Sequence, residues 1–242
     1  MILLGLSDIG KVRSNNEDNF ACGTLENAAY AMVCDGMGGA KNGEIASQIA
    51  IDTIKNQFDN AYSPKMSSRA IKNMLEAAIN AANAKIYDYA ISNDSVGMGT
   101  TAVAAFIKGG VAHIAFDGDS RAYLINDDIT QLTTDHTFLQ RLFELNKITK
   151  EQMESDSRKH IITRALGVEK SIEVDYAEID IDNNDMLLLC SDGLTNCISD
   201  EEILRIIKSS EPEAICQALV DNANKNGGVD NITVAIISGE VE

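Results

Sequence analysis

A chain of 242 residues, 45% hydrophobic and 24% charged, is long enough to bury a sizeable core and does not have the composition of a disordered or fibrous protein. Its 20 basic and 37 acidic residues give a formal charge of −17, and an acidic surface repels a phosphate backbone, so nucleic acid is not an expected partner. Five cysteines (Cys22, Cys34, Cys190, Cys197 and Cys216) are odd in number and lack C-x-x-C spacing, which disfavours a disulfide framework or a thiolate zinc site.

The first apolar run, Ile2–Leu6, reads as a strand. It is too short for a signal peptide and no basic segment precedes it. Ala29–Cys34 reads as a second strand. Ile45, Ile49, Ile54 and Phe58 then suggest an amphipathic helix, and Ile71, Leu75, Ala78, Ala82, Ile86 and Tyr89 a longer one. Thr101–Ile107, Val111–Phe116 and Ala122–Ile125 follow as strands, punctuated by Gly109-Gly110 and Asn126-Asp127-Asp128, so this middle part is expected to be antiparallel. Thr149 with Gln152 fits a weak capping box. Met186–Cys190 is continuously apolar, as a strand covered on both faces would be. Ser199 with Glu202 and Ser210 with Glu213 fit capping boxes, each opening a helix, and Ile232–Ile237 is a last strand.

With two prolines and no linker-like stretch, residues 1–242 read as one domain. Antiparallel strands with segregated helices predict an α+β layered protein rather than a doubly wound one. No stretch reaches membrane-spanning length. A cytoplasmic monomer with no membrane partner is the expectation.

The chemistry concentrates where strands end. Asp35-Gly36 closes AYAMVC, Asp117-Gly118-Asp119 follows VAHIAF, Asp192-Gly193 follows MLLLCS, and Asp230 precedes NITVAII. A carboxylate at the rim of a buried strand is partly desolvated, which is costly unless a cation pairs with it. Several such rims at one end of a sandwich would make a cage of oxygen ligands. Asp-Gly is equally ordinary turn chemistry, most plainly at Asp117-Gly118, where another strand follows at once. Oxygen-only ligands would suit magnesium or manganese, and two such ions can activate a water for in-line attack on phosphorus. Neither a nucleophile-elbow serine nor a Cys-x5-Arg loop is present.

Seven motifs in series, SDIGKVRSNNEDNF (Ser7–Phe20), VCDGMGG (Val33–Gly39), GMGTTAV (Gly97–Val103), GDSRAYL (Gly118–Leu124), HIITRALG (His160–Gly167), LLCSDGLTN (Leu188–Asn196) and GGVDNITVAII (Gly227–Ile237), resemble the metal-dependent, type 2C Ser/Thr protein phosphatases in their compact bacterial form. The resemblance runs from about residue 5 to residue 237. It implies a central antiparallel β-sandwich flanked on each side by a pair of helices, four layers in all. It also implies hydrolysis of phosphoserine and phosphothreonine in proteins, opposing a Ser/Thr kinase.

By this resemblance Asp35 bridges two Mn²⁺ or Mg²⁺ ions and Gly36 offers its carbonyl. Asp192 and Asp230 complete the first metal's shell, while Glu17 and Asp18 lie around the second, partly through water. Asp119 shares a third, looser metal with Asp192. Arg13 grips the substrate phosphate, as a two-pronged, permanently charged donor is suited to do. A flap is expected at Thr133–Lys159, bracketed by His136 and His160, both read as structural. Where many members carry a histidine after DGMGG, this chain has Ala40, so the proton for the leaving group would come from a metal-bound water or another group. The alternative is a catalytically silent phosphoprotein-binding module on the same fold. It would be marked by lost metal aspartates, and Asp35, Asp192 and Asp230 are all present. A partner-switching phosphatase would usually carry a sensor domain, for which 242 residues leave no room.

Overall fold

The computed structural model describes residues 1–38, 42–158 and 160–238. Gly39 of the second motif, Ala40 just after it and Lys159 of the expected flap lie outside the described residues.

Two antiparallel sheets carry the fold. The first has the order β1 (Ile2–Asp8), β11 (Ile232–Ser238), β10 (Met186–Cys190), β7 (Arg121–Ile125), β8 (Ile129–Gln131). The second runs β2 (Asp18–Leu25), β3 (Ala28–Met37), β5 (Ala102–Lys108), β6 (Val111–Asp117), β9 (Asp175–Asp180), with the short β4 (Gly99–Thr100) against the end of β3. Alternation along each strand divides the core into layers. From β3, Ala29, Ala31 and Val33 meet Leu187, Leu189, Ala235 and Ile237 between the sheets. Tyr30, Met32 and Cys34 of the same strand turn outward, under α1 (Asn42–Ala61) and α2 (Ser68–Ser92). On the far side Leu188, Cys190, Val234 and Ile236 face α6 (Asp200–Ser209) and α7 (Ile215–Lys225). Runs such as MLLLC are continuously apolar because both of their faces are covered. The expected four-layer sandwich, with a helix pair outside each sheet, is the observed one.

Every expected strand forms, several a residue or two longer than expected. Gly109 and Gly110 turn β5 into β6 with φ of 59° and 76°, values glycine adopts without penalty. Strands β2, β4, β8 and β9 were not anticipated. β9 reads DYAEID and lies half-exposed at a sheet edge, so it lacks an apolar signal. The Ser210–Glu213 capping box does not form. Ser210 instead ends α6, its Oγ donating to Ile206 O at 2.7 Å, and a 3₁₀ turn at Pro212–Ala214 precedes α7. Ser199 does cap α6, accepting from Glu202 N at 3.3 Å. The box expected to be weakest, Thr149 with Gln152, is reciprocal and opens α4 (Lys150–Ser155). With α3 (Phe138–Glu144), α4 is the helical part of the segment between β8 and β9 where the flap is expected. Among the described residues no helix is long and apolar enough to cross a membrane.

Candidate metal centre

The strand ends bring the sequence-predicted carboxylates to one edge of the sandwich. Asp18 opens β2 and stands in register with Asp35, near the end of β3. Asp119 follows β6, Asp230 stands two residues before β11, and Asp192 begins α5 (Asp192–Thr195), with only Ser191 between it and β10. A cavity of about 1160 Å³ at this edge is lined by Arg13, Glu17, Asp35, Gly36, Asp119, Asp192 and Asp230, with His160 and Asn196. Asp18 is buried beside it, in electrostatic contact with Asp192 and Asp230. A second cavity of about 710 Å³, lined in part by Leu139, Gln140 and Met153 of the segment expected to be the flap, shares Asp119, His160, Asp192 and Asn196 with the first.

Local hydrogen bonding aims these side chains. Asp35 donates its N–H to Thr101 Oγ1 at 3.0 Å, and its carbonyl accepts from Thr101 N at 2.8 Å and Thr100 Oγ1 at 2.9 Å. Gly36 permits a close approach of chains, since a Cβ there would collide with the carbonyl oxygens of Gly43 and Glu17. Ser191 donates to Asp18 Oδ2 at 2.7 Å and Asn196 to Asp192 Oδ2 at 2.9 Å. Asn231 fixes the Arg13 loop from below, accepting from Glu17 N at 2.9 Å and donating to the carbonyls of Ile9 and Asn15. The Arg13 guanidinium reaches out of that loop to Asp230 Oδ2 at 2.7 Å.

The charge does not balance. Burial, then repulsion from Asp18, Asp192, Asp119 and Asp230, holds Asp35 well above the usual carboxylate range. Burial also pushes Asp18 up to about 7, and burial with repulsion from Asp192 takes Asp119 to about 7. Asp192 is raised as well, by burial and by Asp230. Such a cluster is stable only if protons or cations offset it.

Residues 3–232 match the family described as protein phosphatase 2C. The chain belongs to that family. It is 38% identical to the serine/threonine phosphatase stp of Listeria innocua over 237 residues, 96% of this chain and 93% of that one. It is 36% identical to the serine/threonine protein phosphatase PstP of Mycobacterium tuberculosis over 235 residues, where it spans only 43% of the longer relative. Among solved structures, the S. agalactiae serine/threonine phosphatase superposes with a TM-score of 0.91 at 33% identity, covering 98% of this chain and 99% of that one. The catalytic domain of PstP in complex with 2 manganese ions gives 0.84 at 35% identity, covering 97% and 96%.

Protein phosphatase 2C chemistry needs a metal, and the donor set fits one. Asp18 Oδ1 is buried without a hydrogen-bond partner, the remaining donors are oxygen, and the carboxylates repel one another. Among the described residues no three His, Cys, Asp or Glu side chains are already gathered as a ligand set. Arg13 on Asp230, Asn196 on Asp192 and Ser191 on Asp18 turn those oxygens elsewhere, so filling the site entails side-chain rotation. The supporting residues Thr100, Thr101, Ser191, Asn196 and Asn231 were missed as functional from sequence. Each lies inside a motif, but apart from Asn196, four residues from Asp192, its partner is remote in the chain. His136 is buried, as a structural residue would be, whereas His160 is exposed on the wall shared by the two cavities.

Proposed function

We infer that this chain is a serine/threonine protein phosphatase, a hydrolase of phosphoserine and phosphothreonine that works with bound Mn²⁺ or Mg²⁺. The observation that carries this reading is a wall of mutually repelling, part-buried carboxylates facing a single exposed arginine across one cavity. Asp35, Gly36, Asp192 and Asp230 would hold two ions, with Glu17 and Asp18 around the second. Asp119 would take a third together with Asp192. When bound, the metal acidifies a water and offsets the negative charge of the phosphoryl oxygens.

The chain's own residues do the rest. The Arg13 side chain is 55% exposed and rests on Asp230, so it can leave that partner for the paired oxygens of a phosphate. Thr100 and Thr101 keep the Asp35 backbone fixed while its carboxylate changes partner. Asn196 donates to Asp192 Oδ2 and would release that oxygen to a cation. A water oxygen bonds to phosphorus and sheds a proton as the bond from phosphorus to the seryl or threonyl oxygen breaks; that oxygen takes a proton from water in the cavity, and the free side-chain hydroxyl and inorganic phosphate leave. Phosphorylated proteins are the substrates, a Ser/Thr kinase is the opposing enzyme, and the cytoplasm is the compartment proposed.

The silent-module alternative finds no support: the relatives are named phosphatases and the acidic set is intact. Phosphate release from a phosphothreonine peptide tests the assignment. Wild type is expected to turn over, and Asp35→Asn to lose turnover while keeping its fold. A wild-type protein that binds the peptide without ever releasing phosphate would overturn it.

A further inference from the structure

The turn that carries Asp119 is held from outside by the two roots of the flap. Gly118, between Asp117 and Asp119, has φ +114°, and Thr101 packs where a Cβ would stand. Asp119 is repelled by Asp192 and Asp135, so a turn free to move would swing its carboxylate away from them. What opposes this is His136, at the leading root. The histidine is 8% exposed, its backbone N–H donates to Gly118 O at 3.0 Å, and Gly118 N–H donates to its Nδ1 at 3.0 Å. Its carbonyl accepts from Thr163 N at 2.8 Å and Thr163 Oγ1 at 3.0 Å, which ties in the trailing root.

The ring has one consistent proton placement. A backbone N–H can only donate, so Nδ1 presents a lone pair to Gly118 and the proton sits on Nε2. Nε2–H then donates to Asp175 Oδ2 of β9, 3.0 Å away. Nδ1 also lies 3.3 Å from Asp117 Oδ1, a spacing an imidazolium would use. That oxygen already accepts from Arg164 Nε at 2.7 Å, and Nδ1 cannot accept from Gly118 and donate to Asp117 at once. Phe116 stacks on the imidazole, centroids 5.6 Å apart and planes 18° from parallel, which fixes the ring's orientation.

We propose that His136 is a positioning residue for Asp119: by accepting from Gly118 N–H it locks the 117–119 turn to both flap roots and holds the Asp119 carboxylate on the wall between the two cavities. This rests on the part given to Asp119 under the proposed function. It also separates His136, which acts through a backbone amide, from Asp119, which faces the reaction.

Two substitutions divide the ring's two bonds. His136→Asn places an amide oxygen where Nδ1 stood, and His136→Gln places an amide nitrogen where Nε2 stood. On a phosphothreonine peptide with saturating Mn²⁺, His136→Gln is expected to lower kcat roughly 10- to 100-fold, as loss of an outer support does, with KM within about threefold. His136→Asn is expected to stay within about threefold of wild type. In an Asp119→Ala background, His136→Gln should cost less than about twofold more, because the group it positions is gone. Amide hydrogen exchange at Gly118 should speed up in His136→Gln and not in His136→Asn. Equal losses in the two variants, an undiminished loss in the Asp119→Ala background, or unchanged exchange at Gly118 would each overturn the proposal. If Asp119→Ala itself turned over like wild type, the part given to Asp119 would fall instead, and exchange at Gly118 would decide the positioning claim alone.

Discussion

Arg13 has a carboxylate partner that a phosphate can replace. Its guanidinium is half out in solvent and bonded to Asp230, which also raises its already high pKa, so it arrives at the substrate fully charged. A charge-assisted hydrogen bond is worth about 1.5–3 kcal/mol. Arg13→Ala is therefore expected to raise KM for a phosphothreonine peptide by roughly 10- to 100-fold. Calorimetric Mn²⁺ affinity should change far less, and an unchanged KM with lost metal would show the residue to be misplaced. Asp119→Ala should keep the two tight metals in the same titration while lowering turnover. At this scale the sequence was legible for residues whose type already carries the chemistry. Aspartates closing buried runs are conspicuous, and Arg13 sits five residues before Asp18 in its motif. Thr101, Asn196 and Asn231 are ordinary polar types, and only the folded chain reveals that Thr101 lies on Asp35 and Asn231 under Glu17.

Whether an element was legible depended on how much of it is buried. β3 and β10 announce themselves because both faces are covered, while β9 is an edge strand with one polar face. The capping signals behaved in the same way: a Ser-x-x-Glu spacing marks a helix start only if the chain before it is not already helical, and Ser210 ends α6. The two caps that do form should differ in consequence. Ser199 opens α6, whose Ile203, Ile206 and Ile207 are in the core, so Ser199→Ala should lower global unfolding stability by about 1 kcal/mol. Thr149 opens α4 in the flap, away from those clusters. Thr149→Ala should leave the denaturation midpoint nearly unchanged and accelerate amide exchange within α4 alone. A midpoint shift as large as that of Ser199→Ala would mean that the flap unfolds together with the sandwich.

For the whole molecule, the cost of the acidic edge becomes a pH dependence. Burial raises Asp18 and Asp119 to about 7, and Asp35 and Asp192 move in the same direction. A carboxyl whose folded pKa exceeds its unfolded value binds its proton more tightly when folded. Its contribution is full below the unfolded value of about 3.9 and is lost as pH rises through the folded one. Protein treated with a chelator should therefore lose thermal stability between about pH 4 and pH 7. Saturating Mn²⁺ should remove most of that slope, because a cation replaces the protons. A chelated protein that gained stability across this window would show that these carboxylates are not crowded together in solution.

The central claim is that the carboxylate edge works through a bound divalent cation. It is tested most directly by the rate of phosphate release from a phosphothreonine peptide after the protein has been stripped with a chelator, measured before and after Mn²⁺ or Mg²⁺ is returned. The account predicts no turnover in the stripped protein and recovery that saturates with added metal. Full turnover by the stripped protein would contradict it.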